Sequence, residues 1–545
     1  MIHPRHMLFA AALAVLASPA HAQLPPAARL AAAARAAGLR AHLEFLADDA
    51  LEGRAPSTRG GDLAARYVRT QFQRQGLEPA GDSGSYFHPV PIVALTPAPT
   101  LGVAGAAPLT YRTDYVLWSM RDEPEVRAHG DVVFVGYGIV APEYQWDDYR
   151  GVDVKGKIVM VLVNDPGLQD STIFRGKILT YYGRWTYKIE EAARQGAAGI
   201  LIVHTTESAT YPWTTVQSSW TGAQVRVERP ATSLVFAGWL TGEAAAKIAR
   251  QGGADLPTVT AQAATRSFHA VPLAIALDGS VTSTLRRSVT YNVLGRLPGR
   301  GPLANEAVLI GGRYDHLGIG SPVNGDSIYN GALDNASGTA AMLAAADAFV
   351  ASGVRPARSI VFVAFAAEES GLLGSTAYAA APSIPLRRIA AVLNMDVMNL
   401  NGRTRDIAAL GLDQSTLGGV FERAATAEGL RVTTNEDALI KGSFFRSDHF
   451  PFARTGVPAL SLESGLDFIG HDKSWGQQQQ DDYTAHRYHQ PSDEVRPEFD
   501  YGGAIQQLRT VLRTAWMVAT TPAQPTWSAT SEFRAAGQKR FGANR

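Results

Sequence analysis

The chain of 545 residues contains no cysteine. That excludes disulfides, thiolate metal sites and a cysteine nucleophile together, so any metal must be held by His, Asp and Glu. Excess charge is missing too: 50 Lys and Arg stand against 50 Asp and Glu, which gives no case for nucleic acid or an anionic membrane surface as a partner. After the N-terminal segment there is no run of the roughly 18 consecutive apolar residues that a membrane span needs. A small scaffold stapled by disulfides is likewise excluded, and an exported protein without them fits a bacterial periplasm or the medium.

What is present begins with an export pattern. Arg5 precedes an apolar run from Met7 to Ala17, and Ala20-His21-Ala22 has the A-x-A form of a cleavage site, so residues 1–22 read as a signal peptide and the mature protein as exported. A prior of roughly 150 residues per domain suggests two or three domains. Helical patterns around His42 to Asp49 and Asp62 to Gln75 open the larger one, with Asp48, Asp49 and Arg54 read as caps and surface charges. From 129 to 265 the texture changes to short Val- and Ile-rich runs (DVVFVGYGIVAP, KIVMVLVNDP, GILIVHT) that predict an inserted β-rich domain. Two nucleotide-site patterns in this region fail. Gly136-Tyr-Gly138-Ile-Val-Ala141 is followed by PEYQWDDY where a helix should start, and Gly151 to Lys157 is followed by Ile158 where a P-loop needs Ser or Thr.

After Ser288 apolar strands alternate with helices: EAVLIGG, the Thr339 to Val350 helix, SIVFVAFAA, SGLLGSTAYAAA and IAAVLNMDV. Strands without polar alternation belong to a sheet covered on both faces. The segment from Phe499 to Val518 reads as a closing helix, and 521–545 as a flexible tail. In such sheets the ligand crevice lies at the carboxyl ends of strands. Asp315 and Asp334 follow VLIGG, Glu368 and Glu369 follow VFVAFAA, Asp396 follows AAVLNM, and His489 stands in YHQPSDE. A hydrolytic metal site needs carboxylate and His ligands, and adjacent acids leaving a strand point apart, so one can bind metal while its neighbour handles a proton. A long loop from Ser464 to His489, with Trp475, Tyr483 and Tyr488, is placed to wall a pocket, with Tyr488 a candidate substrate contact. Ser447, Asp448 and His449, and Tyr182, Trp185 and Lys188 of the insert, are further candidates for the cleft; His449 and the insert residues could equally be packed structural residues.

The motifs GGRYDHLG, GALDNASG, AAEESGLLGS, LNMDV, RSDHFPF and RYHQPSDE resemble the M28 family of zinc peptidases (aminopeptidase Y type), in the family's order. The insert, with GYGI, DVKGKIV and GAAGILIVH, is similar to a protease-associated (PA) domain. The resemblance implies a phosphorylase/hydrolase-like α/β catalytic domain at 23–128 and 266–520, a mixed sheet flanked by helices, interrupted by the PA domain at 129–265. It implies an exported aminopeptidase acting on peptide or protein substrates with one or two zinc ions. Asp334 would be the bridging ligand, Glu369 and His489 ligands of one zinc, Asp396 a ligand of the second and Glu368 the general base. Asp315 would orient a metal-ligating His, and the Asp334–Asn335 bond would be cis.

One position departs from that pattern. Where the family has a ligand His, this chain has Arg313, which donates hydrogen bonds only and binds no metal. Three consequences are open. His316 replaces the missing ligand; or one zinc suffices, with Arg313 supplying charge at the second position and gripping an oxyanion or a substrate carboxylate, as one-zinc glutaminyl cyclases of this fold suggest; or the chain is a non-catalytic binding protein.

Overall fold

The computed structural model describes residues 24–103, 108–228 and 232–542. The signal-peptide segment lies outside them. Among the described residues no helix is long and apolar enough to cross a membrane.

The fold is mixed α/β. Four strands, Ala459–Ser464, Ile389–Asn394, Ala307–Arg313 and Ser359–Phe365, run parallel in that spatial order. Alternate residues of each strand feed different cores. Val308, Ile310, Ile360 and Phe362 pack under the helices Ala36–Leu46, Arg59–Arg74, Ser337–Ser352 and Gly502–Thr520, while Leu309, Val361, Val363 and Phe365 face Tyr378, Phe450 and Phe452 on the other side. Two covered faces explain why these strands carry no polar alternation.

The sheet does not stop at this domain. Strand Val271–Leu297 pairs through its last residues with Ser359–Phe365, along most of its length with Phe87–Val103, and through its first half with Glu125–Phe134. Beyond it, Glu125–Phe134, Ile158–Leu162, Gly199–His204 and Phe236–Thr241 form a second parallel set, closed by antiparallel Tyr115–Ser119. Residues 129–265 thus contribute several strands, but their sheet recruits Tyr115–Ser119, upstream of residue 129, and is continuous with the sheet that carries the site acids. Prolines 89, 91, 97 and 99 all fall at odd-numbered positions of Phe87–Val103. Their shared parity leaves the intervening amides free to pair, which suits a connecting ribbon and not a central strand.

Three readings are corrected. Arg54 is not a surface charge: it is fully buried, and its guanidinium donates to the carbonyls of Tyr314 (2.8 Å), Asn330 (2.6 Å), Gly331 (3.0 Å) and Leu46. It thereby splints the loops that carry the predicted site acids. Asp48 does cap, accepting from the Ala50 amide at 2.8 Å. The segment from Ser464 to His489 is not one long loop, since Trp475–His486 is helical. Nor does the chain trail away after Thr520: Phe533 is buried, the Trp527 indole donates to Gly456 at 2.9 Å, and Arg540 donates to Ile389 at 2.9 Å. Aromatic anchors outweigh the polar composition there.

Arg54→Met strands four buried carbonyls and is expected to lower unfolding free energy by about 3 kcal/mol or more in chemical denaturation. A loss under about 1 kcal/mol would show that Arg54 does not brace the site loops.

Candidate functional site

Six of the predicted residues converge. Arg313 ends its strand, Asp334 precedes the helix Ser337–Ser352, Glu368 and Glu369 follow Ser359–Phe365, Asp396 follows Ile389–Asn394, and His489 follows the helix Trp475–His486. They surround one end of a cavity of about 1040 Å³, and all but His489 line it directly. The connections are tight. The Asn335 amide group accepts from Gly338 (2.8 Å) and Val397 (3.1 Å) and donates to Met395 (3.0 Å), tying the Asp334 loop to the Asp396 turn. A Cβ on Gly338 would strike the Met395 carbonyl, so only glycine lets helix and turn approach this closely. The Asp334–Asn335 peptide bond is cis. Ala367, Val397 and His489, each at or next to a site residue, have φ of 55°, 58° and 59°. Left-handed backbone at non-glycine residues is costly and clusters at functional sites.

Arg313 is buried at the centre of the acids. It pairs with Asp334 Oδ1, with Glu369 Oε1 at 2.8 Å, with Glu368 Oε2 at 3.0 Å and with Asp396 Oδ1 at 3.5 Å. Its partners divide their oxygens. Asp334 gives Oδ1 to Arg313 and turns Oδ2 toward His489 Nε2 at 3.3 Å; Glu369 turns Oε2 toward the same nitrogen, also at 3.3 Å. Ligand atoms held about 2.0–2.1 Å from a tetrahedral zinc lie roughly 3.3 Å from one another. Asp334 Oδ2 and His489 Nε2 are buried and, among the described residues, have no hydrogen-bond partner. His316, fully buried, puts Nδ1 2.9 Å from Glu369 Oε1, and ligand atoms of His316, Asp334 and Glu369 all lie within 4.8 Å of one another. These residues fit one cation, on the side of Asp334 away from Arg313.

The charges agree. Four carboxylates surround one guanidinium. Burial, against the opposing charge of Arg313, holds the Glu368 carboxyl well above the usual range. Burial also works against ionised Glu369, but Arg313 and the neighbouring imidazoles hold its carboxyl well below that range. For His489 burial disfavours the cation, yet Asp334 and Glu369 raise its pKa to about 9 in the metal-free protein. Asp396 is pushed up by burial and receives the Ser447 hydroxyl at 2.6 Å.

The other candidates divide. Asp315 is pushed up to about 7, chiefly by burial, and accepts the Glu368 amide at 3.1 Å; with Arg313 in place of a His, it fixes the backbone of the adjacent acid and orients no imidazole among the described residues. Tyr488 is 44% exposed, lines the cavity and stacks on the His489 ring with centroids 3.9 Å apart. Ser447 and Trp185 line the cavity. His449 is packed edge-on against Phe444, and Tyr182 and Lys188 are buried in the insert. Sequence reading missed Asp493, which accepts from the amides of Leu333 and Asp334 at 3.0 Å each and from the Tyr483 hydroxyl at 3.2 Å. It also missed Glu463, pushed up to about 7 by burial and by Asp396, on the cavity wall. An acid closing the apolar run VPALSL was the available signal for Glu463, and Asp493 stands inside the motif RYHQPSDE that already supplied His489.

Carboxylates and imidazoles are thus gathered at the strand ends of a parallel set around one cation position, the donor set a metal-dependent hydrolase requires. Residues 292–515 match the Peptidase family M28 model. Leupeptin-inactivating enzyme 1 of Streptomyces exfoliatus is 30% identical over 199 residues, 36% of this chain and 41% of that protein. Leucine aminopeptidase 1 of Trichophyton equinum is 28% identical over 202 residues, 35% of this chain and 52% of that one. This chain therefore spans about half the length of these curated relatives. The solved aminopeptidase from Aneurinibacillus sp. strain AM-1 aligns over 91% of this chain and 97% of its own, with 19% identity and a TM-score of 0.44.

Two outcomes are expected of the metal-free protein. Arg313→Met leaves buried carboxylates without their cation and should cost about 3–5 kcal/mol in denaturant unfolding; a neutral result would contradict the ion-pair geometry. The His489 pKa is raised from 6.5 to about 9 on folding. Its contribution is therefore present below pH 6.5 and lost as pH rises through 9. After discounting for the one-third exposure of its ring, it amounts to about 2 kcal/mol. His489→Gln should remove that slope from the stability profile, and an unchanged slope would assign it elsewhere.

Proposed function

We propose that this protein is an exported zinc-dependent peptidase of the aminopeptidase type that works with one ion. The observation that carries the reading is the division of Asp334: one oxygen is held by Arg313, and the other faces His489 beside Glu369 and His316. In the paired-ion arrangement implied by the family resemblance Asp334 would bridge two metals, and here it bridges a guanidinium and one cation position. The relatives named as aminopeptidases support the activity, and the pattern of residues 1–22 supports export. The insert, read as a PA domain, supplies one wall of the cavity and would limit access to extended chains.

Asp334, Glu369 and His489 would hold the ion, with His316 as a further imidazole donor. A bound zinc supplies Lewis acidity and brings the pKa of a coordinated water near neutrality. Glu368, on the same cavity wall and held by Arg313 at 3.0 Å, takes the proton from the attacking water and passes it to the departing amine. Its raised pKa suits both halves of that transfer. Arg313 keeps Glu368 oriented and offers positive charge to a developing oxyanion. Glu463 and Asp396 offer carboxylates to the free amine of the substrate.

Chelator treatment should abolish release of an amino-acyl reporter, and added zinc should restore it. Glu368→Gln should lower kcat by a factor of about 10²–10⁴ with zinc content unchanged. Ammonia release from an N-terminal glutamine peptide, without hydrolysis of any reporter, would replace the peptidase with a cyclase. Inactivity toward both with zinc bound would leave a binding protein.

A further inference from the structure

Two cations on the cavity wall have no counter-charge. Arg184 comes from the insert, immediately before the helix Trp185–Arg194, and Arg446 from the catalytic domain, in the turn between Ser443–Phe445 and His449–Arg454. Both line the cavity that holds the acid cage. Among the described residues neither guanidinium has a hydrogen-bond or ion-pair partner, and Arg184 Nε is buried with none. The nearby acids are already engaged. Glu190 gives one oxygen to Arg454 at 2.5 Å and the other to the Tyr181 hydroxyl at 2.5 Å, and Asp437 pairs with Lys441 at 2.7 Å. Burial, and then the like charge of Arg446, hold Arg184 down at about 10, and Tyr211 feels both guanidiniums. Arg184 is partly buried and Arg446 is exposed at the cavity rim; a partly buried, unpaired guanidinium that also feels a second arginine is costly unless an anion joins them.

We propose that Arg184 and Arg446 form a carboxylate-binding subsite, which grips a carboxylate of a short peptide whose amino end lies at the acid cage. This rests on the peptidase reading given above. The polarity of the cavity supports it: uncompensated anions and a cation position gather at the strand ends, and uncompensated cations stand on the wall the insert shares. A planar guanidinium matches a carboxylate bidentately, and a second one placed beside it fixes direction as well as charge. A cavity of about 1040 Å³ is of small-ligand size, so the substrate is a short peptide and not an extended protein segment. The carboxylate is either the free C-terminus or an acidic side chain.

The test uses the zinc-loaded protein and compares kcat/KM for a leucine-led tripeptide as free acid and as C-terminal amide, and for amide-capped tripeptides carrying Glu or Gln. The expected result is at least a tenfold preference for one carboxylate-bearing member, expressed mainly in KM. Preference within the acid and amide pair identifies the C-terminus, and preference within the Glu and Gln pair identifies a side chain. Arg184→Gln and Arg446→Gln should each bring that ratio near one, and Lys441→Gln should keep it. Absence of any preference in the wild type, or a ratio unchanged in both arginine variants, would overturn the proposal. If no peptide is hydrolysed at all, the peptidase reading falls by itself, and calorimetry with glutarate then decides the subsite. Binding at least tenfold weaker in Arg184→Gln than in wild type, with both folded by thermal unfolding, upholds it, and equal binding refutes it.

Discussion

The site depends on a guanidinium buried among carboxylates. Asp334, Glu368, Glu369 and Asp396 come from two strand ends and one helix start, and each is too desolvated to keep its charge in isolation. Arg313 provides the permanent cation that lets them stand together. Because a guanidinium stays charged at any pH the protein meets, that compensation requires no metal. One carboxylate face is nevertheless left over, and it points at His489. The cage is half satisfied by the protein and half open to an ion, so metal binding and local stability become linked.

This division has a chemical consequence. In the proposed one-ion reading a single ion and an arginine would divide the work that two metal ions would otherwise share. The arginine would supply charge and hydrogen bonds but no Lewis acid, which would leave proton handling to Glu368. Asp315 and Asp493, lying behind the cage, hold backbone amides of its residues, and Arg54 holds the carbonyls of the same loops. Rigid support of this kind matters more for a site with one ion, because the protein and not a second metal sets the position of the shared carboxylate. The insert extends the same logic outward. Its sheet is hydrogen-bonded into the catalytic sheet through Val271–Leu297, and Glu190 to Arg454 and Arg175 to Asp413 pin the two units at 2.5 Å each. The cavity wall it supplies is therefore a fixed one.

Much of the fold was legible because burial on both faces of a parallel sheet erases polar alternation, and the strands announce themselves as Val- and Ile-rich runs. The acids were legible for the same reason: Glu368 follows eight apolar residues, Ile360 to Ala367, and Asp396 closes a run from Ile389 broken only by Asn394. Arg313 was legible only as a departure from a resemblance. Arg54 and the Arg184–Arg446 pair were not, because each acts through groups remote in sequence, and Asp493, though inside RYHQPSDE, holds amides some 160 positions away. Arg54 bonds carbonyls some 260 and more positions away, and no local pattern marks such a role. The helix Trp475–His486 was hidden by its run of glutamines, which has little apolar periodicity, and the folded tail by its prolines and polar residues.

The most direct test of the account is the zinc stoichiometry of the purified mature protein, measured by elemental analysis beside the Arg313→His variant. The account requires one ion per chain in the wild type and a second in the variant, where a neutral imidazole replaces the guanidinium between Asp334 and Asp396. Two ions in the wild type, or none in a protein that still hydrolyses peptides, would contradict it.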